Sequence, residues 1–198
     1  MRTKKFLTAA LIAMCAMAAT VFTSCGSDDS DDNGGSASKE VKSIKVRYVF
    51  SVTEQMASLC DYTIVYYGSN DKLVTEDAVW NVKDGVAIWI KDVTTTQIPC
   101  TVGARLNIRV KEGAQLEGVR INNIYPETNL ILLKGVSATG QTVWTKDLGL
   151  TGVSTHANAT GEKLPEYIAR WDQRGGVVNH SYIVDKDGNY LVGEKIAQ

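Results

Sequence analysis

Histidine is scarce in this 198-residue chain, and the common catalytic motifs are absent. The two histidines, His156 and His180, have no second histidine at a metal-ligand spacing, and neither His-Glu-x-x-His nor Cys-x-x-Cys occurs. A nucleophile elbow, a Gly-x-Gly-x-x-Gly fingerprint and a phosphate-binding loop are also missing. We therefore expect no enzyme, no metal site and no cofactor. A hydrolase that uses carboxylates from distant loops, as glycosidases do, is a less favoured alternative.

Basic residues are not in excess either. The formal net charge is −1, and no cluster of lysine and arginine stands out along the chain. Nucleic-acid-binding proteins and proteins that bind anionic membrane surfaces usually carry a basic patch. We therefore expect no nucleic-acid partner.

The chain has one long apolar run, which extends from Phe6 to Phe22 and follows a basic start. Its length and position are typical of a secretory signal, and its many Ala, Thr and Met residues make it too weakly hydrophobic for a stable transmembrane anchor. The run ends in Phe22-Thr-Ser-Cys25, and this layout resembles a bacterial lipoprotein signal peptide. The resemblance implies that residues 1–24 are removed and that Cys25 is acylated, which attaches the protein to the outer membrane.

Residues 25–39 contain no apolar side chain larger than alanine and are rich in Asp, Gly and Ser. Such a composition predicts a disordered tether. The stretch Cys25-Gly-Ser-Asp-Asp-Ser-Asp-Asp resembles the acidic segment that follows the lipidated cysteine in surface-exposed lipoproteins of the Bacteroidota. This resemblance implies an outer-membrane lipoprotein that faces the cell exterior, with a periplasmic orientation as the alternative.

Residues 40–198 are expected to form one domain rich in β-strands. Apolar and polar residues alternate with period two in 42–53 and again in 101–111, which is typical of strands with one buried face. Further strands are predicted at 61–67, 72–74, 86–90, 129–134, 142–146, 177–184 and 190–192. One short helix is predicted at 165–171. The pattern predicts an all-β fold, an antiparallel β-sandwich that is loosely immunoglobulin-like.

Cys60 and Cys100 are the only cysteines of this domain. Because their number is even and the expected compartment is oxidising, we predict a disulfide between them, with two buried free thiols as the alternative. The spacing of the tryptophans from Cys60 departs from the immunoglobulin pattern.

Two aromatic residues are candidate ligand-binding groups. Trp89 and Tyr67 alternate with the apolar residues of their strands, so either side chain is a candidate for facing outward and stacking on a sugar ring. The alternative is that both belong to the core, as most large aromatics do. The turn at 185–189 carries Asp185, Asp187 and Asn189, but it lacks the remaining positions of a calcium loop and is predicted to be a hairpin.

These features favour a lipid-anchored binding or adhesion module on the cell surface, without catalysis, whose partner is a carbohydrate or a surface protein. A structural subunit of a surface assembly, similar to the fimbrillins, is the alternative. In that case an edge strand would pair with a neighbouring subunit.

Overall fold

The computed structural model describes residues 40–150 and 157–197, and all of them belong to one compact unit. The predicted signal peptide, Cys25 and the tether lie outside the described residues, as does His156. Within the described ranges no helix is long and apolar enough to cross a membrane.

Strands dominate the described chain. In order along it, the elements are β1 Val41–Thr53, α1 Glu54–Leu59, β2 Cys60–Tyr67, β3 Leu73–Asp77, β4 Asn81–Lys83, β5 Val86–Thr95, β6 Cys100–Val110, β7 Arg120–Ile121, β8 Thr128–Ser137, β9 Thr142–Leu150, β10 Ala159–Thr160, α2 Leu164–Gln173, β11 Val178–Val184 and β12 Tyr190–Val192.

Two five-stranded antiparallel sheets form the sandwich. Sheet A has the strand order β4-β5-β1-β8-β9, and sheet B has the order β12-β11-β6-β2-β3. Strands β7 and β10 form a separate two-stranded sheet. The predicted all-β antiparallel sandwich is therefore confirmed.

The core lies between the two sheets and follows the period-two alternation of the strands. In β1 the residues Ile44, Val46, Tyr48, Phe50 and Val52 are each at most 2% exposed. They pack in one cluster with apolar residues of sheet B such as Ile64 and Leu106. Burial of this continuous apolar layer is the main force that holds the two sheets together.

Tyr48 also links the sheets by hydrogen bonds. Its hydroxyl donates to the carbonyl oxygen of Tyr67 at 2.8 Å and accepts from the backbone N–H of Gly103 at 3.3 Å. The ring belongs to sheet A and both partners belong to sheet B, so a fully buried polar group is satisfied at the centre of the core.

Helix α1 was not predicted from the sequence. It has only six residues, which is too short for a helical apolar period to be recognised. The Thr53 hydroxyl accepts from the Met56 N–H at 3.1 Å and caps the helix, while the Met56 side chain is fully buried.

The predicted disulfide is wrong: Cys60 and Cys100 are both buried free thiols. The strand register gives the reason. Cys60 is the partner of Val110 at one end of β6, whereas Cys100 starts β6 at the other end. Ten residues at about 3.3 Å each separate the two ends by about 33 Å, and a disulfide needs Cα atoms within about 7 Å. The inter-sheet disulfide of immunoglobulin domains has no counterpart at these two cysteines.

Candidate functional site

A groove of about 840 Å³ opens where helix α2 lies beside sheet B. We call it the α2 groove. Its walls come from β2, β3, β6, α1, α2 and the segment between β3 and β4. It is lined by Ala57, Cys60, Asp61, Tyr62, Thr63, Asp77, Ala78, Trp80, Asn107, Ile108, Arg109, Val110, Lys111, Pro165, Ile168, Ala169 and Asp172.

Two aromatic rings form one wall of the groove. Trp80 is half-buried and lies just before β4, and its ring meets the ring of Tyr62 edge-on with centroids 5.1 Å apart. Edge-to-face packing of this kind stabilises an aromatic pair and fixes its orientation. The groove thus has a partly exposed tryptophan supported by a buried tyrosine.

The Tyr62 hydroxyl is a buried polar group without a partner. The residue is 2% exposed, and its oxygen has no hydrogen-bond partner among the described residues. Burial raises the pKa of Tyr62 well above its usual value, with a smaller contribution from Cys60, so the phenol stays neutral. A neutral hydroxyl can donate one hydrogen bond and accept others, and leaving it unpaired costs stability.

Polar side chains line the rest of the groove in facing pairs. Asp61 and Arg109 are cross-strand partners on β2 and β6, with a nitrogen-to-oxygen distance of 3.7 Å. The Thr63 hydroxyl donates to Asp77 at 3.0 Å. The period-two alternation of both strands explains this placement, because Cys60 and Tyr62 point toward the core while Asp61 and Thr63 point away from it.

The other cation of the groove lining, Lys111, is already partnered. The Lys111 ammonium donates to the Ala57 carbonyl at 2.8 Å, so it holds α1 against the end of β6. Arg109, whose side chain is 84% exposed, is the cation most open to a ligand in the groove lining.

Helix α2 forms the opposite wall. Leu164, Ile168 and Trp171 are its buried residues. Its other groove-lining residues are Pro165, Ala169 and Asp172, which follow one another at helical spacing. The helix therefore closes the groove with small side chains and one carboxylate.

The lining holds its thiol in the neutral form. Burial raises the pKa of Cys60 to about 12, with smaller and opposed effects of Lys111 and Asp61, so the thiol is not a nucleophile at neutral pH. The lining contains no histidine. Among the described residues, no group of three His, Cys, Asp or Glu side chains could hold a metal ion.

Of the two alternatives for Trp89, the structure supports the core position and not an outward-facing ring. Trp89 is 5% exposed, and its ring lies 5.8 Å from that of Phe50 and 5.7 Å from that of Tyr66. The alternation along β5 was read correctly, but the side that includes Trp89 faces the core. Trp89 therefore offers no stacking surface to a ligand.

Tyr67 is half-buried at the end of β2 and does not line the α2 groove. Its carbonyl oxygen accepts from Tyr48. The structure thus separates the two aromatic candidates from the groove.

The turn at 185–189 joins β11 and β12 in a hairpin, as predicted, and Asp185 stabilises it. One oxygen of Asp185 accepts from the backbone N–H groups of Asp187 and Asn189, both at 2.9 Å, and the other accepts from the Asn189 side chain at 3.1 Å. Asp185 therefore serves as a turn-forming residue.

Sequence reasoning missed Trp80 and Tyr62 as site residues. Tyr62 was assigned to a strand, and Trp80 follows a strand end, but nothing local to either residue predicts that α2 lies beside them. The sequence feature that could have pointed to this contact is the amphipathic spacing of α2, because the apolar side of such a helix must pack against another apolar surface.

No protein-family model, curated protein or solved structure matches this chain. The α2 groove therefore has to be interpreted from its own residues.

Proposed function

We propose that this protein is a non-catalytic binding module that binds carbohydrate in the α2 groove. The observation that carries the proposal is the combination of the half-buried Trp80 with hydrogen-bond donors and acceptors in one groove. Sugars present apolar C–H faces that stack on aromatic rings, and hydroxyls that need both donors and acceptors.

The polar lining fits a neutral, hydroxyl-rich ligand. Asp61 and Asp77 accept hydrogen bonds, Arg109 donates them, and the Asn107 amide does both. Acidic and basic groups are mixed, so neither a strongly anionic nor a strongly cationic ligand is favoured. An aromatic surface beside a few polar groups is the usual composition of a small-molecule site.

The anchor and the tether complete the proposal. Lipidation at Cys25 and the acidic segment after it would hold the domain on the outer membrane and present it to the exterior, by resemblance to Bacteroidota surface lipoproteins. A binding function requires this exposure to extracellular glycans.

A glycan array probed with the detergent-solubilised full-length protein tests the groove. We expect a set of glycans to bind the wild type and to be lost with Trp80→Ala. Val79→Ala is the matched control, because Val79 is adjacent, 85% exposed and not part of the groove lining. An array without bound glycans, or equal binding by both variants, contradicts the proposal.

Protease shaving of intact cells tests the location separately. We expect the domain to be removed by protease, and to be protected when Cys25 is replaced by Ala or the four tether aspartates by Asn. Protection of the wild-type domain would place it in the periplasm and contradict surface display.

The second candidate function is a structural subunit of a surface assembly. The favouring observation is the exposed apolar end of the C-terminal hairpin, where Leu191 is 71% and Val192 81% exposed. Subunits of such an assembly must contact one another head to tail, so that each added subunit extends a filament and no closed ring forms. Filaments of the purified protein in negative-stain electron microscopy would favour this function over the first.

A further inference from the structure

Strand β12 is a three-residue edge strand that carries no charged residue. The sandwich has four edge strands, β4 and β9 in sheet A and β3 and β12 in sheet B. β4 carries Lys83, β9 carries Lys146 and Asp147, and β3 carries Glu76 and Asp77, whereas β12 reads Tyr-Leu-Val. Charged residues on edge strands normally block pairing with another chain, and β12 has none.

The side chains of β12 are apolar and exposed on both faces of the sheet edge, Tyr190 and Val192 on one face and Leu191 on the other. Tyr190 is 47% exposed, Leu191 71% and Val192 81%, and Ile183 beside Leu191 on β11 is 44% exposed. Four such residues at one sheet edge are typical of a contact surface.

The hydrogen bonds to β11 determine which backbone groups of β12 are free to pair. Asp185 donates to the Asn189 carbonyl at 2.9 Å, and Gly193 donates to the Ser181 carbonyl at 2.8 Å. Because such pairs recur at every second residue of an antiparallel ladder, Leu191 also directs its backbone groups to β11. The N–H and C=O groups of Tyr190 and Val192 consequently point away from the sheet.

We propose that β12 pairs with β12 of a second copy of this chain, antiparallel and about a two-fold axis at Leu191. In this register Tyr190 lies opposite Val192 of the other copy, so the outward-pointing groups of both strands meet in two hydrogen-bonded pairs. Leu191 faces its own counterpart in the non-hydrogen-bonded position, where side chains lie closest.

Charge complementarity supports a second copy as the occupant. The same register brings Asp187, which pairs with Lys186 at 2.8 Å in the turn before β12, near Lys195 of the other copy, and the two-fold axis repeats this contact. Both residues are exposed. The strand and its flanks are thus complementary to themselves, which is the requirement for a two-fold interface.

The pairing goes beyond the proposed ligand binding and is compatible with it. β12 lies at the opposite edge of sheet B from β3, and the α2 groove is built on β3, β2 and β6, so both grooves of the dimer stay open. A two-fold contact closes at two copies and does not build filaments. Two grooves on one particle would raise the avidity for a glycan with repeated epitopes.

Cysteine cross-linking of the full-length protein in membranes tests the register. Cα atoms in a non-hydrogen-bonded antiparallel pair are about 4.5 Å apart, which is within disulfide range, so Leu191→Cys should give a covalent dimer with diamide. Ile183→Cys is the matched control. It lies one strand further from the axis on each copy, which separates the two Cα atoms by about 14 Å, so no cross-link should form.

A second substitution tests the hydrogen bonds. Val192→Pro added to Leu191→Cys removes an outward-pointing N–H without removing a bond to β11, and we expect at least a fivefold loss of cross-linked dimer with an unchanged melting temperature. The proposal is overturned by a Leu191→Cys protein that stays monomeric, by equal cross-linking at position 183, or by a proline variant that cross-links as before. These outcomes are independent of glycan binding.

Discussion

Tyr62→Phe should stabilise the protein and leave ligand binding unchanged. The substitution removes only the hydroxyl oxygen, which is buried and has no partner among the described residues, and it keeps the ring that meets Trp80 edge-on. Most tyrosine-to-phenylalanine changes in a core remove a satisfied group and destabilise. A gain in stability on Tyr62→Phe would therefore show that the Tyr62 hydroxyl is unpaired in the folded protein.

The magnitude follows from the cost of an unpaired buried polar group, which is about 1–3 kcal/mol. The small void left by the oxygen offsets part of this gain. We expect the free energy of unfolding to rise by about 1 kcal/mol, which for a domain of this size raises the melting temperature by about 2–4 °C.

Tyr48→Phe is the matched control. Tyr48 is also a buried core tyrosine, but its hydroxyl bonds to the backbone of Tyr67 and Gly103. Its removal leaves a carbonyl and an N–H unpaired in the core, so we expect the free energy of unfolding to fall by about 1–3 kcal/mol.

Urea unfolding followed by circular dichroism measures both variants against the wild type. The reasoning is refuted if Tyr62→Phe destabilises the protein as much as Tyr48→Phe does, because the Tyr62 hydroxyl would then be satisfied in the free protein. A change in the urea m-value would indicate an altered denatured state, and the comparison would then be made by calorimetry.

Three further predictions concern the fold. Alkylation and peptide mapping should label Cys60 and Cys100 only after unfolding and yield no peptide that links them, whereas a linked peptide would restore the disulfide. Burial, and to a smaller extent the charge of Lys195, lowers the pKa of His180 in the folded protein below 6.5. Between the folded-state pKa and the unfolded-state pKa, the unfolded chain therefore binds more protons than the folded protein does. Stability should therefore fall as the pH drops from 6.5 toward the folded-state pKa, and His180→Gln should remove that part of the pH dependence; an unchanged profile would contradict it. Gly103→Ala places a Cβ against the His180 carbonyl oxygen on β11. We expect this clash to lower the free energy of unfolding by about 1–3 kcal/mol. A variant with the melting temperature of the wild type would contradict this prediction.

The local elements could be predicted from the sequence because their signals are local. The alternation in 42–53 and 101–111 matches β1 and β6 to within one residue at each end. The helix predicted at 165–171 is the central part of α2. The period-two and period-3.6 repeats of apolar residues extend over consecutive positions, so they can be recognised in a single sequence.

The pairing of these elements could not be predicted in the same way. Cys60 and Cys100 looked suitable for a disulfide until the register placed them at opposite ends of β6. Whether the Trp89 side chain faces outward or into the core depends on which face of β5 packs against sheet B. Both questions are decided by contacts between residues that are distant in the sequence, on which local alternation carries no information.

The α2 groove shows the same limit. Tyr62 and Trp80 lie on different elements, and α2 joins them from about one hundred residues further along the chain. The sequence-based candidates Trp89 and Tyr67 lie elsewhere in the fold and do not line the groove.

Calorimetric titration with the strongest glycan from the array tests the central claim most directly, with wild type, Trp80→Ala and Tyr62→Phe measured side by side. The account predicts a dissociation constant at least about tenfold higher for Trp80→Ala, and an unchanged one for Tyr62→Phe, because the buried hydroxyl does not reach the ligand. Equal dissociation constants for all three proteins would show that the glycan binds outside the α2 groove and would contradict the account.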